Sequence, residues 1–300
     1  MKKTAYDIVE NRDLTGKAFL ITGGYAGLGA ISTEAILKAK GTVIVAGRSA
    51  DAQSAFAKSL LDKPELNFDA NQLDTTHTLD LGDLSSVRDF VQEIKTQYPR
   101  IDCLMNNAGV MNTPAGKTKD GFETQMGINV IGHFLLSRLL ADITKRQVWL
   151  SSKGHIRYGA PNINYDLITN IEDQTYIPRW RYQQSKLGNI LLAKEFARRY
   201  PHMTTYSVHP GGVKTNLGRH MTLGQKLKYI IQNPFIIMSM VEPEVGAATQ
   251  VMVAVAPDDE LTSGAYYADC KVIATAPSGE NMAEAQKLFD YCEEVTAKFQ

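Results

Sequence analysis

Tyr182 and Lys186 bracket the run Tyr182-Gln183-Gln184-Ser185-Lys186, at the start of a stretch (182–200) whose apolar positions recur at helical spacing. On a helix, residues four apart share a face, so the phenol and the ammonium can act on one ligand. A phenol with an ordinary pKa of about 10 is a poor acid–base catalyst near neutral pH. A positive charge beside it favours the phenolate and lowers that pKa. The pair therefore makes a tunable proton donor, set against the plainer reading of one amphipathic helix face.

A second stretch could hold a phosphate. Ala18-Phe19-Leu20-Ile21-Thr22 reads as a short apolar strand, followed by Gly23-Gly24-Tyr25-Ala26-Gly27-Leu28-Gly29 and then a helical pattern. A strand that opens through glycines into a helix brings backbone N–H groups and a positive helix end up to a pyrophosphate. Residues 23–29 thus predict a dinucleotide pocket, against the alternative of a Gly-rich turn. The spacing Thr22-Gly23-x-x-x-Gly27-x-Gly29 is not the common Gly-x-Gly-x-x-Gly order. At the end of the next strand the chain reads Ala46-Gly47-Arg48-Ser49, with no acid before Asp51. An acid in that region would bond the 2′-hydroxyl of NAD, whereas an arginine accommodates the 2′-phosphate of NADP. Arg48 therefore predicts NADP(H), against the reading of an ordinary surface arginine.

Both stretches need a scaffold that brings them together. A helix over 27–40 and a strand over 42–46 complete a strand–helix–strand unit. The alternation continues with helices near 51–61, 85–98, 122–140 and 182–200, and strands near 76–79, 102–105, 147–150 and 204–208. Such alternation predicts an α/β fold of Rossmann type: a doubly wound, mainly parallel sheet with helices on both faces, in one domain over 1–300. Two segments break the rhythm, 153–181 and 216–241, and both would lie at the carboxyl ends of the strands, where open α/β sheets bind ligands.

Composition narrows the class. At 44% hydrophobic and 21% charged residues, the 300-residue chain can bury a substantial core. Lysine plus arginine balances aspartate plus glutamate at 32 each, so no nucleic-acid footprint is present and a small or lipid-like partner fits better. Cys103, Cys270 and Cys292 have neither zinc-ligand nor C-x-x-C spacing, which predicts buried thiols in a reducing, cytoplasmic setting. Lys2 and Lys3 lead into no apolar run, and no stretch approaches the ~20 apolar residues of a spanning helix. His133, His155 and His209 have no metal-ligand neighbours at helical spacing, and no metal site is expected. The Gly-x-Ser-x-Gly elbow of a hydrolase is absent.

Five motifs stand in register: Thr22-Gly23-x-x-x-Gly27-x-Gly29, Asn106-Asn107-Ala108-Gly109, Ser151-Ser152, Tyr182-x-x-x-Lys186 and Pro210-Gly211-Gly212-Val213-Lys214-Thr215. Together they resemble the short-chain dehydrogenase/reductase family over about residues 14 to 297. Asp13-Leu14-Thr15-Gly16-Lys17, Tyr206-Ser207-Val208-His209-Pro210 and Lys287-Leu288-Phe289 look most like its retinol dehydrogenase and WW-domain oxidoreductase branch, without a WW domain. The resemblance implies that Tyr182 is the general acid or base, that Lys186 lowers its pKa and holds the nicotinamide ribose, and that Ser152 bonds the substrate carbonyl. Ser151 is the rival for that last role. Asn129 would keep a water near the lysine. Asp80 and Leu81 would meet the adenine; Asn107, Ala108 and Gly109 would flank the ribose; Val213 and Thr215 would contact the nicotinamide amide.

The stretch from Ser152 to Tyr182 is longer than in many members of that family. Its Tyr165, Ile168, Ile171, Tyr176, Ile177 and Trp180 would shape the substrate pocket, with Tyr229-Ile230-Ile231 and Phe235-Ile236-Ile237-Met238 as an apolar lid. A peripheral membrane contact or an oligomer contact is the competing use of that lid. The family resemblance also implies a homodimer or homotetramer. The expected activity is NADP(H)-dependent interconversion of a carbonyl and an alcohol on an apolar small molecule of retinoid, steroid or fatty-aldehyde type. Alternatives are a ketoreductase of polyketide or aromatic carbonyls, a non-catalytic NADP-sensing scaffold, and a sugar epimerase or dehydratase.

Overall fold

The computed structural model describes residues 2–156, 162–171, 176–213 and 240–300. Its strands are β1 (Ala18–Thr22), β2 (Thr42–Ala46), β3 (Leu73–Asp74), β4 (Cys103–Asn106), β5 (Arg146–Leu150), β6 (Thr204–His209), β7 (Tyr266–Ala268) and β8 (Lys271–Val272). They form one eight-stranded sheet in the order β3-β2-β1-β4-β5-β6-β7-β8. Every pairing is parallel except β7 with β8. Strands β4 and β5 are buried along their whole length, as central strands of a sheet covered on both faces must be. The chain leaves β1 toward β2 on one side and returns to β4 on the other, which opens a crevice at the carboxyl end of β1.

Alternate side chains of the strands feed two cores. Phe19, Ile21, Val43 and Val45 face α2 (Gly27–Lys38) and α7 (Ala248–Val255), meeting Ala35, Ile36, Val251 and Val255. Leu20, Ile44, Leu104 and Trp149 face the other way, toward α4 (Leu84–Gln97), α5 (residues 124–139), α6 (Pro178–Arg199) and α8 (Met282–Thr296). There Phe134 and Phe196 both meet the Phe289 ring edge-on, at centroid distances of 4.9 and 5.0 Å. Each such fully buried apolar side chain contributes about 1.5–3 kcal/mol. Two further helices, α1 (Ala5–Val9) and α3 (Ala50–Leu61), complete the outer layers.

Several boundaries differ from the sequence expectation. The third strand is not at 76–79: Leu73 and Asp74 pair with Val43 and Ile44, and Thr78 makes only an isolated bridge to Gly47. The reason is local, because Asp74 Oδ1 accepts both the N–H and the hydroxyl of Thr76 and turns the chain out of the ladder. Helix α2 ends at Lys38 rather than 40, and Lys40 takes the left-handed φ of 66°. Helix α5 is interrupted, since Gly127–Gly132 winds as a π-helix between two α-helical pieces. Cys103 and Cys292 are buried, but Cys270 is only half-buried.

The segment 153–181 is not a plain loop where it is described. It contains a 3-10 turn at Lys153–Ile156 and a helical turn at Asp166–Thr169, and α6 begins at Pro178. Buried polar side chains hold it: Arg181 donates to Leu167 O at 2.6 Å and Asn170 O at 3.1 Å, and Tyr176 donates to Glu123 Oε1 at 2.7 Å. Most of 216–241, with the apolar lid of residues 229–238, lies outside the described residues. Among the described residues, no helix is long and apolar enough to cross a membrane.

Gly29 marks where α2 meets the loop before it. A Cβ there would collide with Gly23 O and stand 2.6 Å from Asn107 Nδ2. In a helix interior, Gly→Ala ordinarily gains up to about 1 kcal/mol. Overpacking against a backbone oxygen costs about 1–3 kcal/mol, and it wins here. Gly29→Ala is therefore expected to lower the urea midpoint of unfolding, whereas a raised midpoint would show that the loop yields freely.

Candidate active site

The crevice at the carboxyl ends of β1, β4 and β5 holds a cavity of about 460 Å³. Gly23, Tyr25, Ala26, Gly27 and Leu28 form one wall, and Arg48, Asp80 and Leu81 stand along its rim. Asn107, Ala108 and Gly109 form the floor, and Tyr182 and Lys186 of α6 close the far side. Two stretches more than 150 positions apart in the chain are thus brought to one space. Gly29 sits behind the wall, buried against Gly23. Val213 stands off the cavity, bridged to Val241 beside Gly246, and Thr215 lies outside the described residues.

The glycine loop takes its path from Gly23, whose φ of +65° an L side chain rarely adopts. Thr22 organises it from below. Its Oγ1 accepts the N–H of Asn107 and of Ala108, each at 2.9 Å, while its carbonyl accepts Asn107 Nδ2 at 2.7 Å. Ser49, Asp83 and Asn281 cap α3, α4 and α8 with their side chains, but Ala26 at the start of α2 has none to offer. The first N–H groups of α2 are thereby left for a ligand, and the helix end carries positive potential. The Tyr25 ring lies over Gly47, where its Cζ and Oη come within 3.0 Å of the place a Cβ would take. A dinucleotide fits this cradle of bare backbone, uncapped helix and exposed Arg48.

On the opposite wall, Lys186 Nζ donates to Leu150 O at 2.8 Å and lies 5.6 Å from the centre of the Tyr182 ring. Burial pushes the lysine pKa down to about 8. Asn189, one turn further along α6, donates its Nδ2 to the same Leu150 O at 2.8 Å. Ser151 is on the cavity wall, yet its hydroxyl is committed to Lys186 O at 2.7 Å. Ser152 Oγ accepts the Gly154 N–H at 3.0 Å. A Cβ on Gly154 would stand 3.3 Å from Ser152 Oγ and 3.6 Å from Tyr182 Cε1, so the serine is beside the tyrosine.

Asn129 comes from the π-helical turn of α5. Its Oδ1 accepts the Val110 N–H at 2.9 Å, and its Nδ2 donates to Val110 O at 3.0 Å and Ser185 Oγ at 2.9 Å. Ser185 in turn donates to Tyr182 O at 2.8 Å. The carboxamide is thus spent on framing the floor and α6. Sequence reasoning passed over Asn189, Ser185 and Gly47. For Asn189 a signal was present, since a mid-helix asparagine on the Lys186 face is unfavourable unless its carboxamide is put to use.

Comparison with known proteins places the chain in a family. The family model described as short chain dehydrogenase matches residues 17–226. Retinol dehydrogenase 14 of Mus musculus is 38% identical over 294 residues, covering 93% of this chain and 85% of that protein. Short-chain dehydrogenase TIC 32 A, chloroplastic, of Brassica napus is 34% identical over 304 residues, covering 96% of this chain and 91% of that one. Among solved structures, an uncharacterized protein from Mycobacterium Paratuberculosis superposes with a TM-score of 0.76 at 28% identity, covering 99% of this chain and 98% of that chain. With the glycine loop, the Asn107 turn and the Tyr182–Lys186 pair gathered on one Rossmann sheet, the chain belongs to the short-chain dehydrogenase family.

Proposed function

We propose that this oxidoreductase uses NADP(H) to interconvert a carbonyl and an alcohol on an apolar small molecule of retinoid, steroid or fatty-aldehyde type, within one Rossmann domain. The observation that carries the proposal is that Tyr182 and the buried Lys186 face the same cavity as the glycine loop. A retinoid-like substrate draws support from the name of the mouse relative, retinol dehydrogenase 14. A non-catalytic scaffold would have no use for a buried ammonium whose pKa burial depresses to about 8.

The cofactor that this cradle would hold would supply the redox chemistry, hydride leaving NADPH in reduction and reaching NADP⁺ in oxidation. Tyr182 gives its hydroxyl proton to the carbonyl oxygen in reduction and takes a proton from the alcohol in oxidation. Lys186 keeps a positive charge beside that phenol and favours its ionised form. Ser152 donates to the developing alkoxide, because the hydroxyl of its rival Ser151 is already given to Lys186 O. Asn129 holds Val110 and Ser185 so that the floor and α6 keep their distance. Gly23, Tyr25, Ala26, Gly27 and Leu28 take the pyrophosphate side and Arg48 the 2′-phosphate. Asp80 and Leu81 take the adenine, and Asn107, Ala108 and Gly109 the ribose.

Three outcomes test this. Tyr182→Phe should reduce turnover of retinal or a medium-chain aldehyde by roughly 10²–10⁴-fold while NADPH still quenches protein fluorescence on binding; a mutant as fast as the parent would remove the tyrosine from the chemistry. Arg48→Ala should weaken NADPH binding roughly tenfold or more and leave NADH binding unchanged, as loss of a charge-assisted contact does. An unchanged ratio of the two affinities would assign the preference elsewhere. Because Lys186 in the free enzyme loses its proton near pH 8, kcat/KM for reduction should fall as pH rises beyond that value, approaching about tenfold per unit. A profile flat to pH 10 would detach the lysine charge from catalysis.

A further inference from the structure

We propose that His133 and His155 are positioning residues: two neutral imidazoles, both in the Nδ1–H tautomer, that clamp the backbone carbonyls of Asn129 and Ser152 to distant parts of the chain. The inference rests on the roles proposed above for Asn129 and Ser152. It gives work to two histidines whose sequence context offered nothing beyond buried rings.

The hydrogen bonds leave one arrangement for each ring. His133 Nδ1 lies 3.2 Å from Asn129 O, and a carbonyl can only accept, so that nitrogen carries the proton. His133 Nε2 is then an acceptor, 2.9 Å from Thr22 Oγ1. That oxygen already accepts two N–H groups, from Asn107 and Ala108, and its own proton has two acceptors in reach, His133 Nε2 at 2.9 Å and Met105 O at 3.3 Å, of which the imidazole is the nearer. A directed chain results, from the Asn107 and Ala108 amides through Thr22 and His133 to Asn129 O. The Asn129 carboxamide grips Val110 at the other end of the same turn, so the cavity floor is held at both ends.

His155 repeats the pattern. Its Nδ1 lies 2.6 Å from Ser152 O and its Nε2 accepts the Ala276 N–H at 3.2 Å. Its own carbonyl accepts Gln183 Nε2 at 3.3 Å, directly beside Tyr182. The Ser152 turn is thereby tied both to the C-terminal segment and to the start of α6.

The surroundings of both rings favour the neutral imidazole. Both are buried. Burial, with the Lys186 ammonium adding to it, holds the His133 pKa down at about 3, and burial lowers that of His155. The rings of Trp149 and Tyr266 lie edge-on to them, at 6.4 and 5.3 Å, and His209 is the other titratable group facing His155. A proton on Nε2 of either ring would turn it toward Thr22 or the Ala276 N–H as a second donor and break the chain.

The test uses the whole protein labelled with ¹⁵N at histidine. Long-range ¹H–¹⁵N spectra of the cofactor-free protein should place both rings in the neutral Nδ1–H form, unchanged from pH 8 to pH 5. An Nε2–H tautomer, or a ring that titrates within that range, overturns the assignment for that ring. Alongside, His133→Phe should weaken NADPH binding by roughly tenfold in a fluorescence titration. His133→Asn, which keeps a donor for Asn129 O, should recover part of that loss. His155→Phe should lower kcat for carbonyl reduction and leave NADPH affinity within twofold. Parent-like NADPH binding by the His133→Phe protein, or parent-like kcat in the His155→Phe protein, overturns the positioning role. If the parent turns over no carbonyl, the proposed reaction fails, while the tautomers and the His133 affinities still judge the clamps.

Discussion

The structure around the cavity depends on how one ammonium is kept under the protein surface. Lys186 is buried where Leu150 O meets it at 2.8 Å, and burial alone is enough to depress its pKa to about 8. Holding such a charge requires that its surroundings not relax. Leu150 O is also held by Asn189, the backbone of Lys186 is fixed by Ser151, and Gly109 keeps the floor close, since a Cβ there would stand 3.6 Å from Nζ. The same restraints that hold the buried lysine in place also fix the stretch of α6 that carries Tyr182 four residues earlier, so rigidity of the helix and placement of the proton donor come from one set of contacts.

Polar groups rather than apolar ones determine the geometry of this end of the sheet. The two apolar cores fix which face each helix covers, but hydrophobic contact is not directional enough to set a carbonyl within a few tenths of an ångström. Thr22, Asn107, Asn129 and Ser185 supply that direction with buried, mutually satisfied hydrogen bonds. The π-helical turn belongs to the same economy of space, because it places Asn129 where its carboxamide spans from Val110 to α6. The segment before α6 is fastened in the same manner by Arg181, Glu123 and Gln184, the last accepting the Asn164 N–H at 2.7 Å.

Much of this was legible in the sequence where the signal is local. The apolar runs at Leu20, Val43 and Leu104 identify central parallel strands, and the glycine spacing before Leu28 places the cradle. What was not legible depends on partners far along the chain. Nothing near Ser151 or Ser152 says which hydroxyl is free; that follows from the carbonyl of Lys186, 35 positions on. The link from Thr22 to His133 spans 111 positions. Strand β7 is three residues long, too short for periodicity to mark, and β3 is displaced by a side-chain turn at Asp74 that outweighs strand propensity at 76–79.

The departure of the glycine loop from the commoner pattern has a physical consequence at the rim. With Tyr25 in the loop, its ring fills the space above the end of β2, and any side chain at 47 would collide with it. Gly47 is therefore required by a residue 22 positions before it rather than by its own backbone, which has no positive φ. The ring shields the β2 terminus and leaves Arg48 as the exposed charge at that edge of the cavity. A guanidinium in that position is fully hydrated until a phosphate arrives, so it adds little to binding of a cofactor that lacks one and discriminates by what it gains. Under the proposed NADP(H) dependence, Tyr25 and Gly47 set where the arginine can stand, and selection of the cofactor belongs to the three residues together.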